Sequence, residues 1–373
     1  MADKHVVIVG GGLAGLIASL HLVREGIPCT VIEKSSYPFH RVCGEYVSRE
    51  VIPYLSRLGA YPEALHPAQI NRFQLTSTRG DSTTLPLDLG GFGVSRFAFD
   101  HFLYQQALAR GVAFQLNCEV NAIRYVQDRF VVETNASTVS ADVVIAAHGK
   151  RSRLDKELKR SFIARHSPYV GVKSHIRLPG FPRDLIELHN FDNGYCGVSA
   201  VEGDTINLCY LTHRDNVRTY GNLPEMEAAI LHRNPFLKEI FTQAEFLFQK
   251  PETVNEISFE TKGPLEAHIL MCGDAAGMIT PLCGNGMAMA IHSAKLAAEH
   301  VSRFCKDPTY TRDRLEHDYQ ASWRRAFAFR LWAGRNIQRL FGSDSASRTA
   351  VLLGSHLKPI ARALIRLTHG KPF

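Results

Sequence analysis

Between His5 and Val9 the chain runs through a short, mostly β-branched apolar stretch, the pattern of a strand buried on both faces. Leu16, Leu20 and Val23 then recur at helical spacing, and a second apolar run, Cys29–Ile32, ends at Glu33. This order of periods predicts a βαβ unit with parallel pairing. The same alternation returns late in the chain. His268–Cys272 predicts another buried strand, and Met287, Ala290, Ile291, Ala294 and Ala298 mark a long helix after a Gly/Pro-rich loop. Between these ends, 112–124 reads as a strand pair and Asp142–Ala147 as a further strand segment. Strand patterns at Val170–Arg177, Ile186–Phe191 and Ile206–Thr212 alternate with one helix, Leu223–His232, and Pro179, Pro182 and Pro251 mark turns. Residues 306–373 read as helical. There is no internal repeat, and no run of eighteen apolar residues that would span a bilayer.

The first strand leads into Gly10-Gly11-Gly12-Leu13-Ala14-Gly15, a G-x-G-x-x-G. Gly10 permits the tight turn, Gly12 lets a pyrophosphate approach the backbone, and Gly15 lets helix and strand pack closely. The helix start at Leu13 and Ala14 offers unpaired N–H groups and the positive end of the dipole to phosphates. Glu33, 18 residues beyond Gly15, stands where an acid accepts hydrogen bonds from a ribose. Strand, turn, helix, strand and acid together predict dinucleotide binding. Downstream, Gly273-Asp274 ends a strand and Gly284-Asn285-Gly286-Met287 opens a helix. An acid after a strand can grip a polyol chain, and a glycine-rich helix start can set N–H groups against a developing anion.

Composition narrows the class. At 373 residues, 45% hydrophobic and 21% charged, the chain has material for two or three globular domains and is no disordered regulator, fibre or disulfide miniprotein. Residues 6–23 could pass for a signal-peptide core, but Gly10-Gly11-Gly12 would break such a helix and Asp3 spoils a basic flank. Eight cysteines are scattered without a C-x-x-C, so reduced thiols in a cytoplasm are expected, with no metal site. The 17 histidines form no triad or H-E-x-x-H pattern, and there is no G-x-S-x-G elbow. Net charge is +7, yet residues 321–373 alone carry ten Lys and Arg against Asp344, a balance of +9. An excess this local favours one anionic surface over general nucleic-acid affinity. With Trp323, Phe327, Phe329, Trp332 and Phe341 interleaved, the region suits a peripheral membrane or carrier-protein contact, the lining of a lipid-like pocket, or an apolar face on the body with arginines in water.

Taken together, the two glycine turns resemble those of the glutathione-reductase-type FAD proteins of the para-hydroxybenzoate hydroxylase fold. Their second motif, G-D-A-x-x-x-x-x-P-x-x-G-x-G, is matched by Gly273, Asp274, Ala275, Pro281, Gly284 and Gly286. The resemblance implies an α/β (α+β) fold: a Rossmann-like FAD-binding domain, an antiparallel-sheet substrate domain and a C-terminal helical region. The expected FAD module is discontinuous (1–65, 96–165 and 262–305), with 66–95 and 166–261 as substrate domain and 306–373 as the basic helical region. It also implies that Asp274 holds the ribityl chain and that Gly284, Asn285, Gly286 and Met287 lie beside the flavin ring. Arg41 and Arg96, the latter in an R-x-x-F-D match ending at Asp100, are implied near the cofactor, as are Lys34 and Gly149, with Val120 where the backbone meets adenine.

Two departures narrow the chemistry. Aromatic hydroxylases of this fold carry A-D-G where this chain has Ala147-His148-Gly149, and the acid there helps engage NAD(P)H. Flavin halogenases carry W-x-W-x-I-P, whereas the only tryptophans here are Trp323 and Trp332. What remains is most similar to the geranylgeranyl-reductase branch, whose C-G-E signature is met by Cys43-Gly44-Glu45 and whose extended second motif includes Gly277. The branch's aromatic strand over the flavin is replaced by Asn193–Ala200, with Gly197 in place of an indole, which implies a wider pocket. The function implied is an FAD-dependent oxidoreductase that reduces C=C bonds of a small hydrophobic substrate, an isoprenoid or polyketide-type lipid. NADPH or another donor would supply the electrons. A monooxygenase acting on a phenolic or polyketide substrate is the alternative, and a noncatalytic flavin- or lipid-binding protein the third reading. Cys43, Tyr195 and Cys283 are the candidate catalytic residues, Glu45 either pairs with an arginine or acts as an acid, and His148 either serves the site or holds its loop. Phe73, Phe92, Phe181, Phe191 and Phe246 either line an apolar pocket or belong to the core.

Purified protein is expected to be yellow, with a two-banded visible absorption. A colourless product that added FAD does not reconstitute would end the assignment.

Overall fold

A computed structural model of the chain describes residues 4–257, 259–260, 262–278, 284–337 and 343–373. Six strands form one sheet in the order Leu265–Glu266, Ile269–Met271, Val143–Ala146, Val6–Val9, Cys29–Ile32, Ala113–Gln115. All neighbours are parallel except the Leu265–Glu266 edge. Val6–Val9 and Val143–Ala146 are buried along their whole length, as unbroken apolar strands at the centre of a parallel sheet must be. The Leu13–Arg24 helix packs against both Arg96–Ala109 and Gly286–Lys306. The predicted strand pair across 112–124 is corrected. Ala113–Gln115 joins this parallel sheet, while Val120–Val126 pairs with Arg129–Thr134 in a separate antiparallel sheet completed by Thr138–Ala141. The turn between the two segments breaks the ladder, so each finds a different partner.

A nine-stranded sheet, antiparallel but for the pairing of Leu185–Phe191 with Ala68–Thr76, holds Ala68–Thr76, Ser82–Gly93 and the strands between Tyr169 and Asn255. Its outermost member is Tyr46–Ser48, paired with Ser82–Gly93, so this short strand from the first stretch of chain ties the two sheets together. One face buries Val172, Cys196, Val198, Leu208 and Tyr210 against Met226, Ile230, Leu237 and Ile240. Three helices supply that cover, Arg214–Tyr220, Leu223–Ile230 and Pro235–Gln243, where the sequence pattern suggested one. Asn222 and Asn234 cap the latter two through their side chains, a local signal that marks each start. Of the candidate pocket phenylalanines, Phe73 faces the cavity described below, Phe92 and Phe191 are core, Phe181 packs against the core, and Phe246 is exposed.

Among the described residues the basic C-terminal region forms three helices, Arg312–Ile337, Asp344–His356 and Lys358–Thr368. The first packs on Gly286–Lys306 and the other two reach the Ser82–Gly93 strand, so together they bridge the two sheets. A buried ion pair fastens them: Arg330 donates to both carboxylate oxygens of Glu50, at 2.7 and 2.8 Å. His292 is stacked on Phe373 with ring centres 4.0 Å apart. Burial, helped by Arg330 and Lys295, lowers His292 from 6.5 to about 4.

A neutral imidazole of this kind contributes stability that is present above pH 6.5 and lost as pH falls toward 4. Thermal unfolding followed across that window should show a falling midpoint, with a shallower decline in His292→Phe. Equal slopes would show that the proton uptake lies elsewhere.

Candidate dinucleotide and substrate site

The first glycine turn is shaped by contacts a side chain would destroy. Gly10 has φ +102°, and a Cβ there would lie 2.6 Å from the Ala147 carbonyl oxygen. A Cβ at Gly15 would overlap the Gly10 carbonyl oxygen. Gly11 N–H donates to Glu33 at 2.7 Å, and Tyr37 O–H donates to the Gly11 carbonyl. Gly12 differs from its neighbours. It caps the Leu13–Arg24 helix without a side-chain partner, no acid sits in the first turn, and a Cβ there would meet the guanidiniums of Arg96 at 3.5 Å and Arg41 at 3.8 Å. Arg96 is held by Asp100 at 2.8 and 2.6 Å, and burial, which opposes its charge, is overcome by that carboxylate. Arg41 lies 3.4 Å from Glu33 and 3.8 Å from Asp100, and its buried Nε has no hydrogen-bond partner among the described residues. Helix dipole, free N–H groups and two guanidiniums therefore converge on one point, the arrangement an anionic phosphate needs.

The second turn touches the first. A Cβ at Gly273 (φ +60°) would stand 3.0 Å from the Ala14 Cβ. Gly273 N–H donates to Ser293 at 3.1 Å, and the Asp274 carbonyl accepts from Lys262 at 3.0 Å. Burial lowers the Lys262 amine to about 8. Gly284, with φ +61°, turns against the ring of Tyr46, which a Cβ there would meet at 3.4 Å. Cys283 and Pro281 lie outside the described residues.

Both turns open into a cavity of about 1230 Å³. Its wall brings together Gly10, Gly12, Leu13, Ala14, Glu33, Lys34, Arg41, Arg96, Val120, Gly149, Gly273, Asp274, Gly284, Gly286 and Met287, and also Cys43 and Tyr195. Gly15 and Asn285 are not in the wall: Gly15 packs helix on strand, and Asn285 is the buried residue preceding the Gly286–Lys306 helix. Beyond the glycine turns the wall becomes apolar, with Phe73, Leu75, Leu85, Ile186, Leu188 and Leu211 from the large sheet and Leu353, Leu364 and Ile365 from the C-terminal helices. At Gly197 a Cβ would meet nothing closer than 3.7 Å, so the missing indole does leave space.

Sequence reasoning missed a buried charge cluster at the junction. Glu45, in a left-handed conformation (φ +55°), accepts from Lys173 at 2.5 Å, from the Arg96 N–H at 2.7 Å, and bonds His175 at 2.7 Å. Its pairing with an arginine side chain is thus corrected to one with lysine and histidine. Burial acts to raise the Glu45 carboxyl, but Lys173 and His175 outweigh it and hold it low. Lys173 also donates to the Arg41 carbonyl, and Asn207 to that of Cys43, so the Arg41–Glu45 loop is clamped onto the large sheet. The available signal was a lysine and a histidine two apart within an apolar strand pattern, hence on one face. His148 bonds Asp155 at 3.1 Å, and Asp155 also takes a 2.8 Å hydrogen bond from Arg160. That makes His148 a loop-holding residue in the cavity wall. The pattern of residues 321–373 allows the lining of a lipid-like pocket, and residues between Ala350 and His369 do line the cavity.

The FAD binding domain family model matches residues 3–316, and the chain belongs to that family. It is an FAD-dependent oxidoreductase of the para-hydroxybenzoate hydroxylase type, with enzymes of the geranylgeranyl-reductase kind and flavin-dependent halogenases among its relatives. A digeranylgeranylglycerophospholipid reductase of Methanocaldococcus jannaschii is 25% identical over 95% of this chain and 92% of its own. A tryptophan 2-halogenase of Chondromyces crocatus is 23% identical over 80% of this chain and 61% of its own. In fold, a geranylgeranyl bacteriochlorophyll reductase-like protein from Thermoplasma acidophilum superposes with a TM-score of 0.79 at 17% identity, covering 99% of this chain and 96% of its own. The flavin-dependent halogenase CmlS gives 0.79 at 22%, covering 100% and 74%. The cavity fits FAD on its own terms: an open Gly12 facing two arginines, a second turn in contact with the first, and a volume beyond that of an ordinary small-ligand pocket, about 300–1,000 Å³.

Because a Cβ at Gly12 meets only guanidinium atoms, Gly12→Val should fold yet purify mainly as apoprotein, whereas Gly15→Val should fail to fold. Asp274→Ala should weaken FAD by about 1.5–3 kcal/mol, measured by flavin fluorescence titration. Full FAD loading of both Gly12→Val and Asp274→Ala would refute these assignments.

Proposed function

We propose that this oxidoreductase reduces isolated C=C bonds of a hydrophobic isoprenoid or polyketide-type lipid. One observation carries the reading: the cavity continues past the glycine turns along a mainly apolar wall that includes Leu75, Leu188, Tyr195, Leu211 and Ile257, which suits a hydrophobic substrate. Near-full-length similarity to digeranylgeranylglycerophospholipid reductases supports it.

In this reading Gly10, Gly12, Leu13, Ala14, Arg41 and Arg96 hold the pyrophosphate, with Lys34 and Gly149 beside them. Glu33 takes the ribose, Val120 the adenine and Asp274 the ribityl chain, and Gly284–Met287 face the ring. Bound FAD supplies two-electron transfer to the substrate. The chain's own task is to exclude water, align the alkene and deliver a proton. Cys43 and Tyr195 both reach the cavity wall, and Cys43 sits on the clamped Arg41–Glu45 loop, which fixes its position relative to Gly12. A held group of this kind suits proton delivery to one face of the alkene.

Photoreduced protein mixed anaerobically with a geranylgeranyl lipid should lose its reducing equivalents to the substrate, which gains two hydrogens per bond. Reoxidation only when oxygen is admitted, with an oxygen atom in the product, would establish hydroxylation instead. Cys43→Ala should retain FAD while slowing the anaerobic step by about a hundredfold or more.

A further inference from the structure

The last two helices have two apolar sides. Inward, Leu353 and Gly354 of Asp344–His356 and Ala361, Leu364 and Ile365 of Lys358–Thr368 line the cavity. Outward, Leu352 is 57% exposed, Leu357 48%, Ile360 49% and Leu367 39%. Ten large apolar residues are exposed among the described residues, and six fall between Phe329 and Leu367. Ile360, Ala363 and Leu367 recur at the spacing of one helix face. A helix that only roofed a protein cavity would turn its outer face polar. This one offers a second apolar phase its own stripe.

Cations flank that stripe. Lys358 is exposed, Arg348 and Arg366 are more than half exposed, and Arg362 and Arg366 share one acid, Asp88, which leaves a surplus positive charge. Over 321–373 the balance is +9. An apolar stripe edged by four cations that share two acids, Asp81 and Asp88, keeps a positive surplus and matches the boundary between acyl chains and anionic headgroups, which supplies both partners in one plane.

We propose that the helices Asp344–His356 and Lys358–Thr368 dock the protein on an anionic lipid bilayer. Because the same helices line the cavity, docking places the apolar compartment directly behind the membrane surface. The surface is read from its own residues and stands whether or not C=C reduction is the reaction.

The test is co-sedimentation of the FAD-loaded protein with vesicles, using visible absorbance as the tracer. Vesicles of equal parts phosphatidylcholine and phosphatidylglycerol should carry the protein down at low salt, and phosphatidylcholine alone should not. The combined variant Leu357→Ser, Ile360→Ser, Leu367→Ser should lose about tenfold or more in partitioning. Lys358→Glu should weaken binding and flatten its salt dependence. Both variants should keep the wild-type flavin spectrum, which separates lost docking from lost folding. Wild-type protein left in the supernatant with mixed vesicles, or a triple variant that binds as wild type does, overturns the proposal. Capture by an immobilised acidic carrier protein without vesicle binding also overturns it, in favour of a protein partner.

Discussion

Backbone packed directly on backbone is the constraint on which this structure depends. Gly15 lets the Leu13–Arg24 helix rest against the carbonyl of Gly10, and Gly10 in turn lies against Ala147 at the end of a neighbouring strand. With those separations fixed, the helix start has one available position, and Gly12 faces Arg41 and Arg96 across open space. The second turn is placed by the same device, since Gly273 rests on Ala14. Two loops some 260 residues apart in sequence are thereby held at van der Waals distance. No long side chain could do this without adding rotamer freedom at the point where a rigid anion site is required.

The other half of the cavity is positioned by charge. Glu45, Lys173 and His175 are buried together, and burying ions costs several kcal/mol apiece unless each is paired. Glu45 is paired with both of the others, and main-chain groups of Arg41 and Arg96 join them, so the loop bearing Cys43 inherits the rigidity of the large sheet. Removing one member would leave an uncompensated charge in the interior. Buried ion pairs of this type seldom add net stability, and their best-attested use is to fix one arrangement among several. Here the arrangement is the register between the flavin-side loop and the sheet that walls the apolar compartment.

Much of this was legible in the chain. Cys29–Ile32 ends where its apolar run ends, and the Gly286–Lys306 helix starts at the second glycine pair, because local periodicity and glycine positions decide both. What escaped sequence reading was partnership. Nothing within 112–124 states that Ala113–Gln115 belongs beside Cys29–Ile32, since strand pairing is a long-range choice. Glu45 fits a helix, a turn or an ion pair equally well until Lys173 arrives 128 residues later. Likewise the pattern of Lys358–Thr368 shows an apolar face without showing that a cavity lies beneath it. Periodicity reports that a face is covered and is silent about what covers it.

The chain order of the cavity wall has a consequence for biogenesis. Residues that surround the glycine turns end at Ala290, whereas Ala350 to His369, which close the apolar compartment, leave the ribosome after them. Since polypeptides acquire structure from the amino end during translation, the nucleotide cleft is complete while the roof is still being made. The coenzyme can therefore enter an unroofed cleft, and the compartment seals behind it.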